Sequence, residues 1–414
     1  MNKTEQAFLN ILRTALQGEI YERPAHSPEE WRQIFQLAQL HTVLPLIYEA
    51  AYRSAAGAIE SVPDMRLVRG QVRRQVLMQT FRTAEFLTLY KRLAAAGIRP
   101  LVLKGLTCRS LYPKPDQRPS GDEDILVHPD EVARCCAELE AFGMVSELNA
   151  EERADVYEIP YRKDGGALYI ELHKHLFPPA SEAYGDWNRF FRQVFDRAVV
   201  MEVQGVEIRT MAPTDNLFYL ICHAFKHFMH SGFGIRQVCD IVLYVQKYGT
   251  AVRWPQFWQH CRKIRGEQFA AALLAIGEKY LGLDPVQAGC GDYRTHLQTD
   301  ENLLLEDLLA GGLYGDATLS RKHSSNITLD AVAAGNKGKA PGASVLKSLF
   351  PPVQKLTHRY AYLKKHPYLV PFAWADRLLK YRKETKETEG SDAMEAIRIG
   401  SRRLELFRAY DIID

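Results

Sequence analysis

Hydrophobic residues recur at helical spacing over the first quarter of the chain. Phe8, Leu12 and Leu16 repeat every fourth residue and form one apolar face. A longer pattern of the same kind covers residues 65–96 and stops at a glycine. Residues 1–95 are therefore predicted to form an N-terminal helical region.

The pattern then changes to short apolar runs with a period of two. Residues 98–104 and 124–127 have the length and β-branched content of strands. Residues 157–162 and 167–173 flank an Asp-Gly-Gly turn and predict a hairpin. With helical patterns between them, these runs predict an α+β core with a small mixed sheet over residues 96–210.

Helical spacing returns in the last half of the chain. Residues 211–382 are predicted to form a C-terminal helical domain, except for 319–345, whose Ser, Asn, Gly and Lys residues favour a mobile loop. Residues 383–414 are predicted to be a charged linker followed by a terminal helix. The expected fold class is thus α+β, a small mixed-sheet core flanked by N-terminal and C-terminal helical regions.

Composition narrows the class of protein. The chain is 46% hydrophobic and 25% charged, and no run approaches the ~20 apolar residues that cross a bilayer. Polar residues interrupt the first apolar pattern, so it does not resemble an export signal, and a cytoplasmic location without membrane attachment is expected. Seven cysteines without a Cys-x-x-Cys spacing indicate reduced thiols.

The acidic residues carry the clearest chemical signal. Asp122 and Asp124 stand two apart at the start of a predicted strand, so their carboxylates share one side. Glu171 lies on the polar side of another predicted strand. Carboxylates brought together in this way repel each other unless a cation lies between them, and oxygen ligands suit Mg²⁺, or Mn²⁺ in its place. The three residues therefore predict a metal site of the two-metal kind.

A phosphate-binding turn is predicted beside these acids. Lys104 and Gly105 lie where a predicted strand ends and a helix begins, and glycine lets the backbone approach a ligand closely. Lys104 and Arg118 supply positive charge for a triphosphate, and Ser120 follows in the same loop. His173 shares a strand face with the third acid. It is predicted to orient that carboxylate or to contact a nucleotide, or else simply to be exposed at the end of the strand.

The order of these motifs resembles the polymerase-β-like nucleotidyltransferase superfamily, and more narrowly a family of uncharacterised bacterial nucleotidyltransferases. The resemblance implies a metal-dependent transfer of a nucleoside monophosphate from an NTP to an acceptor, with release of pyrophosphate. It also implies that the two aspartates bind the metals, and that the third acid binds a metal or takes the acceptor's proton. The motifs that carry it are Leu103-Lys104-Gly105, Arg118, Asp122-Glu123-Asp124-Ile125-Leu126-Val127 and Glu171-Leu172-His173.

Two departures from the superfamily pattern keep another function open. The turn is Lys-Gly where Gly-Ser or Gly-Gly is usual, and the acidic Glu123 stands between the aspartates where an apolar residue is usual. Both favour a non-catalytic nucleotide-binding or scaffold protein of the same fold. A basic, aromatic stretch at 347–383 suggests either a nucleic-acid-directed transferase or helices with solvated basic faces. The net charge of +3 favours a small-molecule, peptide or protein acceptor over nucleic acid.

One predicted helix carries further polar candidates. His223 and His227 are four residues apart and share a face, so they could bind zinc, line a cleft or serve a structural role. The residues between them lack the glutamate of the zinc-protease pattern. Arg236 and Asp240 have the same spacing and predict either a surface ion pair or an arginine that reaches a nucleotide.

Overall fold

The computed structural model describes most of the chain. The residues it describes are 1–22, 26–230, 232–311, 319–336, 363, 366–374, 376 and 393–414. Among these residues, none of the helices is both long enough and apolar enough to cross a membrane.

The N-terminal region consists of four helices. Side-chain caps define the starts of the first two helices. Asn2 and Ser27 each accept a hydrogen bond from the backbone N–H of the glutamate three residues on, and the side chain of that glutamate accepts one from the backbone N–H of the capping residue. The apolar face predicted for the first helix is buried in the structure and includes Phe8 and Leu12. The helices are α1 (Lys3–Leu16), α2 (Pro28–Leu40), α3 (Leu44–Glu60) and α4 (Met65–Ala95).

A seven-stranded mixed sheet forms the centre of the molecule, in the order β3-β4-β5-β2-β1-β7-β6. Its strands are β1 (Leu101–Val102), β2 (Glu123–Leu126), β3 (Met144–Val145), β4 (Glu158–Lys163), β5 (Tyr169–His173), β6 (Val199–Val203) and β7 (Val206–Thr210). Between them lie α5 (Lys104–Arg109), α6 (Val132–Ala141) and α7 (Ala150–Asp155). The predicted fold class, a small mixed sheet flanked by helices, is confirmed.

The register of the central strands decides which side chains meet. Strands β2 and β5 run parallel and place Asp124 opposite Glu171. Strands β4 and β5 form the predicted antiparallel hairpin and place Glu158 opposite His173. Because side chains alternate along a strand, these four polar groups lie on one face of the sheet, while apolar residues such as Ile125 fill the other.

The C-terminal half is again helical and covers the polar face of the sheet. Its helices are α8 (Pro213–Met229), α9 (Ile235–Tyr248), α10 (Trp254–Lys263), α11 (Glu267–Ile276), α12 (Glu301–Gly311), α13 (Leu319–Asn336) and α14 (Ala393–Ala409). Helix α14 coincides with the predicted terminal helix. The chain divisions predicted at residues 95, 210 and 382 stay predictions.

The prediction of a mobile loop at 319–345 is wrong over residues 319–336, which form helix α13. Ala331 and Ala333, two of the small residues that suggested a loop, are buried, and helix α13 packs on α14. Residues 337–345 lie outside the described residues. So do most of the basic stretch 347–383 and the charged linker that follows it.

Helices α13 and α14 satisfy the carbonyl groups at the end of α8. The Arg403 guanidinium of α14 donates to the carbonyl oxygens of Phe228 and His230. The Thr328 hydroxyl of α13 donates to the carbonyl of Met229 at 2.6 Å. The last carbonyls of a helix have no partner within it, so these side chains act as a C-terminal cap.

Candidate active site

A cleft of about 510 Å³ opens between the polar face of the sheet and helices α8 and α9. The eight residues predicted to form the site all line it: Lys104, Gly105, Arg118, Ser120, Asp122, Asp124, Glu171 and His173. The opposite wall adds Tyr219, His223, Lys226, His227, His230 and Arg236. Glu158 of strand β4 and Tyr157, the residue before that strand, also line the cleft.

Asp124 lies at the bottom of this cleft and is 1% exposed. Its Oδ1 accepts hydrogen bonds from Lys104 Nζ at 2.8 Å and from His173 Nε2 at 3.0 Å. Burial alone would raise the pKa of Asp124, but the Lys104 ammonium and His173 outweigh it and hold that pKa well below its usual range. Asp124 is therefore ionised at neutral pH.

The two neighbouring groups on strand β5 differ in charge. Burial, together with the charges of Asp124 and Asp122, raises the pKa of Glu171 above its usual value. Burial would lower the pKa of His173, but hydrogen bonds to Asp124 and Glu171 raise it to about 9. His173 is thus a cation at neutral pH, with its Nε2 3.7 Å from Glu171 Oε2 and its Nδ1 3.5 Å from Glu158 Oε2.

The donor set fits a hard divalent cation. Asp124, Glu171 and His173 each offer a ligand atom, and these atoms lie within 4.8 Å of one another. Within the described residues, Asp124 Oδ2 is buried and has no hydrogen-bond partner, so one carboxylate oxygen is left for a ligand. Because a protonated imidazole has no lone pair to offer, the two carboxylates are the better ligands. Asp122 lines the same cleft but is not one of the three residues whose ligand atoms lie this close together.

Arg118 reaches the cleft, but its guanidinium is already paired. Its Nε and Nη2 donate to the two carboxylate oxygens of Asp240 at 2.9 and 2.6 Å. The Tyr112 hydroxyl donates to the same carboxylate at 2.7 Å. The ion pair expected between Arg236 and Asp240 is therefore replaced by this buried one, and Arg236 donates instead to the Pro119 carbonyl.

The unexpected acidic residue of strand β2 is part of a second buried pair. Glu123 is fully buried, and its Oε1 accepts from Arg109 Nη2 at 2.5 Å. The same guanidinium donates to the hydroxyl of Ser120 at 2.9 Å, and the Ser120 backbone N–H donates to Gln79 at 2.8 Å. Gly105 lies so close that a Cβ there would collide with the Glu123 carboxylate.

This network fixes the positions of Ser120 and Glu123. Ser120 lines the cleft, but its hydroxyl is already hydrogen-bonded below it. Glu123 faces away from Asp124 and holds the loop before it in place. Sequence reasoning missed Arg109, because an arginine within a short helix carries no local sign that its partner is a buried acid.

Helix α8 presents a different kind of surface. His223 and His227 line the cleft, with their Nε2 atoms 3.1 Å apart. Burial and the nearby lysines lower the pKa of both well below the usual value, so both are neutral. They are not part of a group of three potential metal ligands among the residues described. Lys226, between them, was missed although it shares their helical face.

Comparison with known proteins identifies the family of the chain. A family described as uncharacterised nucleotidyltransferase matches residues 27–282, which include the whole sheet and helices α8 and α9. The chain belongs to this family. The predicted membership is thus confirmed, and membership supports nucleotidyl transfer as the general activity.

Other comparisons add little. A search among curated proteins gives no match. Among solved structures, the chain is similar to an antigenic nucleotidyltransferase-like protein from Paracoccidioides brasiliensis, at 12% identity and a TM-score of 0.31. That similarity covers 50% of this chain and 93% of the other.

Proposed function

We propose that the chain moves a nucleoside monophosphate from an NTP to an acceptor oxygen in this cleft, in a metal-dependent reaction. The observation that carries the proposal is the buried, ionised Asp124, whose Oδ2 has no hydrogen-bond partner among the described residues and is available to bind a cation. Asp122, Asp124 and Glu171 would hold Mg²⁺ or Mn²⁺. A bound divalent ion would offset the negative charge of the phosphates.

Other residues of the cleft would bind the triphosphate and accept the proton. Lys104 and Arg236 supply positive charge for the triphosphate at the end of the cleft nearest α5, where Gly105 allows close approach. The acceptor oxygen attacks the α-phosphorus, the bond from that phosphorus to the bridging oxygen breaks, and pyrophosphate leaves. If Asp122 and Asp124 alone hold the metal, Glu171 would instead take the acceptor's proton.

The two departures from the superfamily pattern have structural explanations that do not involve loss of activity. Glu123 is neutralised by Arg109 on the side of β2 away from the cleft. Lys104 of the Lys-Gly turn directs its ammonium to Asp124. The scaffold alternative therefore loses the features that favoured it, and the nucleic-acid alternative rests on a stretch that lies mostly outside the described residues.

The test is calorimetric titration of each NTP into the full chain with Mg²⁺, before and after Asp124→Asn. Asparagine keeps an oxygen for Lys104 and His173 but turns an NH₂ group toward the site of the cation. We expect metal-dependent binding of one NTP that this variant abolishes. Asp130→Asn, an exposed acid away from the cleft, serves as the matched control.

A second measurement follows transfer itself. The NTP that binds is incubated with Mg²⁺ and candidate acceptors, and pyrophosphate release is recorded. Absence of binding by any NTP to well-folded protein would overturn the proposal. Binding without pyrophosphate release for every acceptor class would favour the non-catalytic alternative.

A further inference from the structure

Helix α4 carries more large, exposed apolar side chains than any other element in the described part of the chain. Leu67, Leu77, Met78 and Phe81 are 71%, 57%, 45% and 60% exposed. At about 100° per residue, the four side chains lie within ~100° of the helix circumference and extend over about 21 Å of its length. At ~200 Å² for a large side chain, these fractions leave on the order of 400 Å² of apolar surface, a size that often marks a contact site.

Hydrogen bonds from the same turns of α4 hold this face outward. Gln79 accepts a hydrogen bond from the Ser120 backbone N–H at 2.8 Å, and Arg82 donates to the Ala167 carbonyl at 3.1 Å. These bonds join α4 to the loop that leads into the cleft and to the residues just before β5. The apolar side chains therefore stand on a helix whose rotation is already fixed.

The charge on this face is positive. Residues 65–84 contain five arginines and no acidic residue. Arg66, Arg73 and Arg74 are exposed and form no ion pair with any residue that the structure describes. By helical spacing, Arg74 lies within the apolar stripe, while Arg66 and Arg73 lie along one edge of it. The four apolar residues and these three arginines are termed here the α4 patch.

Three kinds of occupant fit the α4 patch poorly. A second copy of the chain, docked through the same patch, would bring its arginines against those of the first. A lipid bilayer would bury the guanidinium of Arg74 among acyl chains, which is unfavourable. A nucleic acid would pair its phosphates with the arginines, but Leu67 and Met78 offer no hydrogen bond to phosphate and no aromatic ring on which a base could stack.

We infer that the α4 patch docks a partner protein through an acidic, amphipathic helix. The apolar stripe of the partner covers Leu77 and Phe81, and its carboxylates pair with the arginines, because a guanidinium and a carboxylate form two parallel hydrogen bonds. A stripe of about 21 Å matches four turns of such a helix. This inference does not depend on the proposed function.

The probe is a synthetic peptide of about five helical turns, with leucines at helical spacing on one face and glutamates on both flanks. Its binding to the full chain is measured by fluorescence anisotropy, beside that of a peptide with lysines in place of the glutamates. We expect the glutamate peptide to bind at least about tenfold more tightly than the lysine peptide. Leu77→Asp/Phe81→Asp should weaken that binding about tenfold or more, and Arg74→Glu should shift the preference toward the lysine peptide. Val286→Asp, at an exposed position outside α4, is the matched control.

Several results would overturn the inference. Binding of neither peptide, or equal binding of both, would remove the acidic partner, and equal effects of the α4 variant and Val286→Asp would remove the site. Sedimentation velocity and flotation with phosphatidylserine vesicles test two other occupants. A dimer or a vesicle complex that Leu77→Asp/Phe81→Asp abolishes would assign the patch to a second copy or to a membrane instead. Misfolding does not imitate the result expected for Arg74→Glu, because that variant should gain affinity for the lysine peptide.

Discussion

Replacing Arg118 by methionine separates a structural role from a substrate-binding role. The Arg118 side chain is 4% exposed and that of Asp240 6%, and two hydrogen bonds join them. The substitution leaves the Asp240 carboxylate buried with only the Tyr112 hydroxyl as a donor. Removing one partner of a buried ion pair destabilises a protein by about 3–5 kcal/mol, so a loss of that size is expected.

The assay is urea unfolding, with Asp240→Asn added in the same chain as the compensating change. Asparagine removes the orphaned charge and still accepts from Tyr112, so the double variant should be about 1–3 kcal/mol more stable than Arg118→Met alone. Arg32→Met, which breaks an exposed ion pair with Glu29, should have a free energy of unfolding close to that of the unsubstituted chain.

Nucleotide affinity supplies the second readout. Because two nitrogens of the Arg118 guanidinium bind Asp240 and the third, Nη1, is itself buried, the Kd of the bound NTP should stay within about threefold, under ~0.7 kcal/mol, in variants that remain folded. A large loss of NTP affinity at unchanged stability would refute this reasoning and would show that Arg118 binds the triphosphate. Stability equal to that of Arg32→Met would refute the buried pair itself.

Two further predictions concern stability. His41 is buried and accepts the backbone N–H of Ile235, and burial lowers its pKa to about 4. The unfolded chain binds the same proton near pH 6.5. The free energy of unfolding should therefore fall between pH 6.5 and 4, by about 3 kcal/mol from this residue. Urea unfolding at pH 7.5 and 5 should show about 2 kcal/mol of that loss, and His41→Gln should reduce it. An unchanged pH dependence in the variant would contradict the assignment. Gly105→Ala should destabilise by about 1–3 kcal/mol because its Cβ meets the Glu123 carboxylate. Gly70→Ala, in open space on a helix, should be neutral or slightly stabilising in the same unfolding measurement, and equal effects of both changes would count against the close approach.

Local periodicity accounts for the part of the fold that was predicted. Alternation along two short strands was enough to place Asp124 and Glu171 on polar faces, and the Asp-Gly-Gly turn gave the hairpin that carries Glu171. These features depend on residues that are near one another in sequence. The helical N-terminal region follows in the same way from the spacing of its apolar residues.

Long-range partners could not be predicted in this way. Arg118 looked available for a ligand because its partner, Asp240, lies 122 residues further along the chain. Lys226 could be assigned to the cleft only from the position of α8 over the sheet. The small residues of 319–336 were assigned to a loop from composition, yet small side chains also allow two helices to approach closely.

The C-terminal cap on α8 bears on how this protein can be divided. The family match ends at residue 282, but Thr328 and Arg403, well beyond that point, satisfy the last carbonyls of helix α8, which forms one wall of the cleft. A fragment cut at the family boundary would leave those carbonyls without donors and would expose Phe228, which packs on Phe407. The catalytic core defined by sequence similarity is thus smaller than the unit that holds its own cleft together.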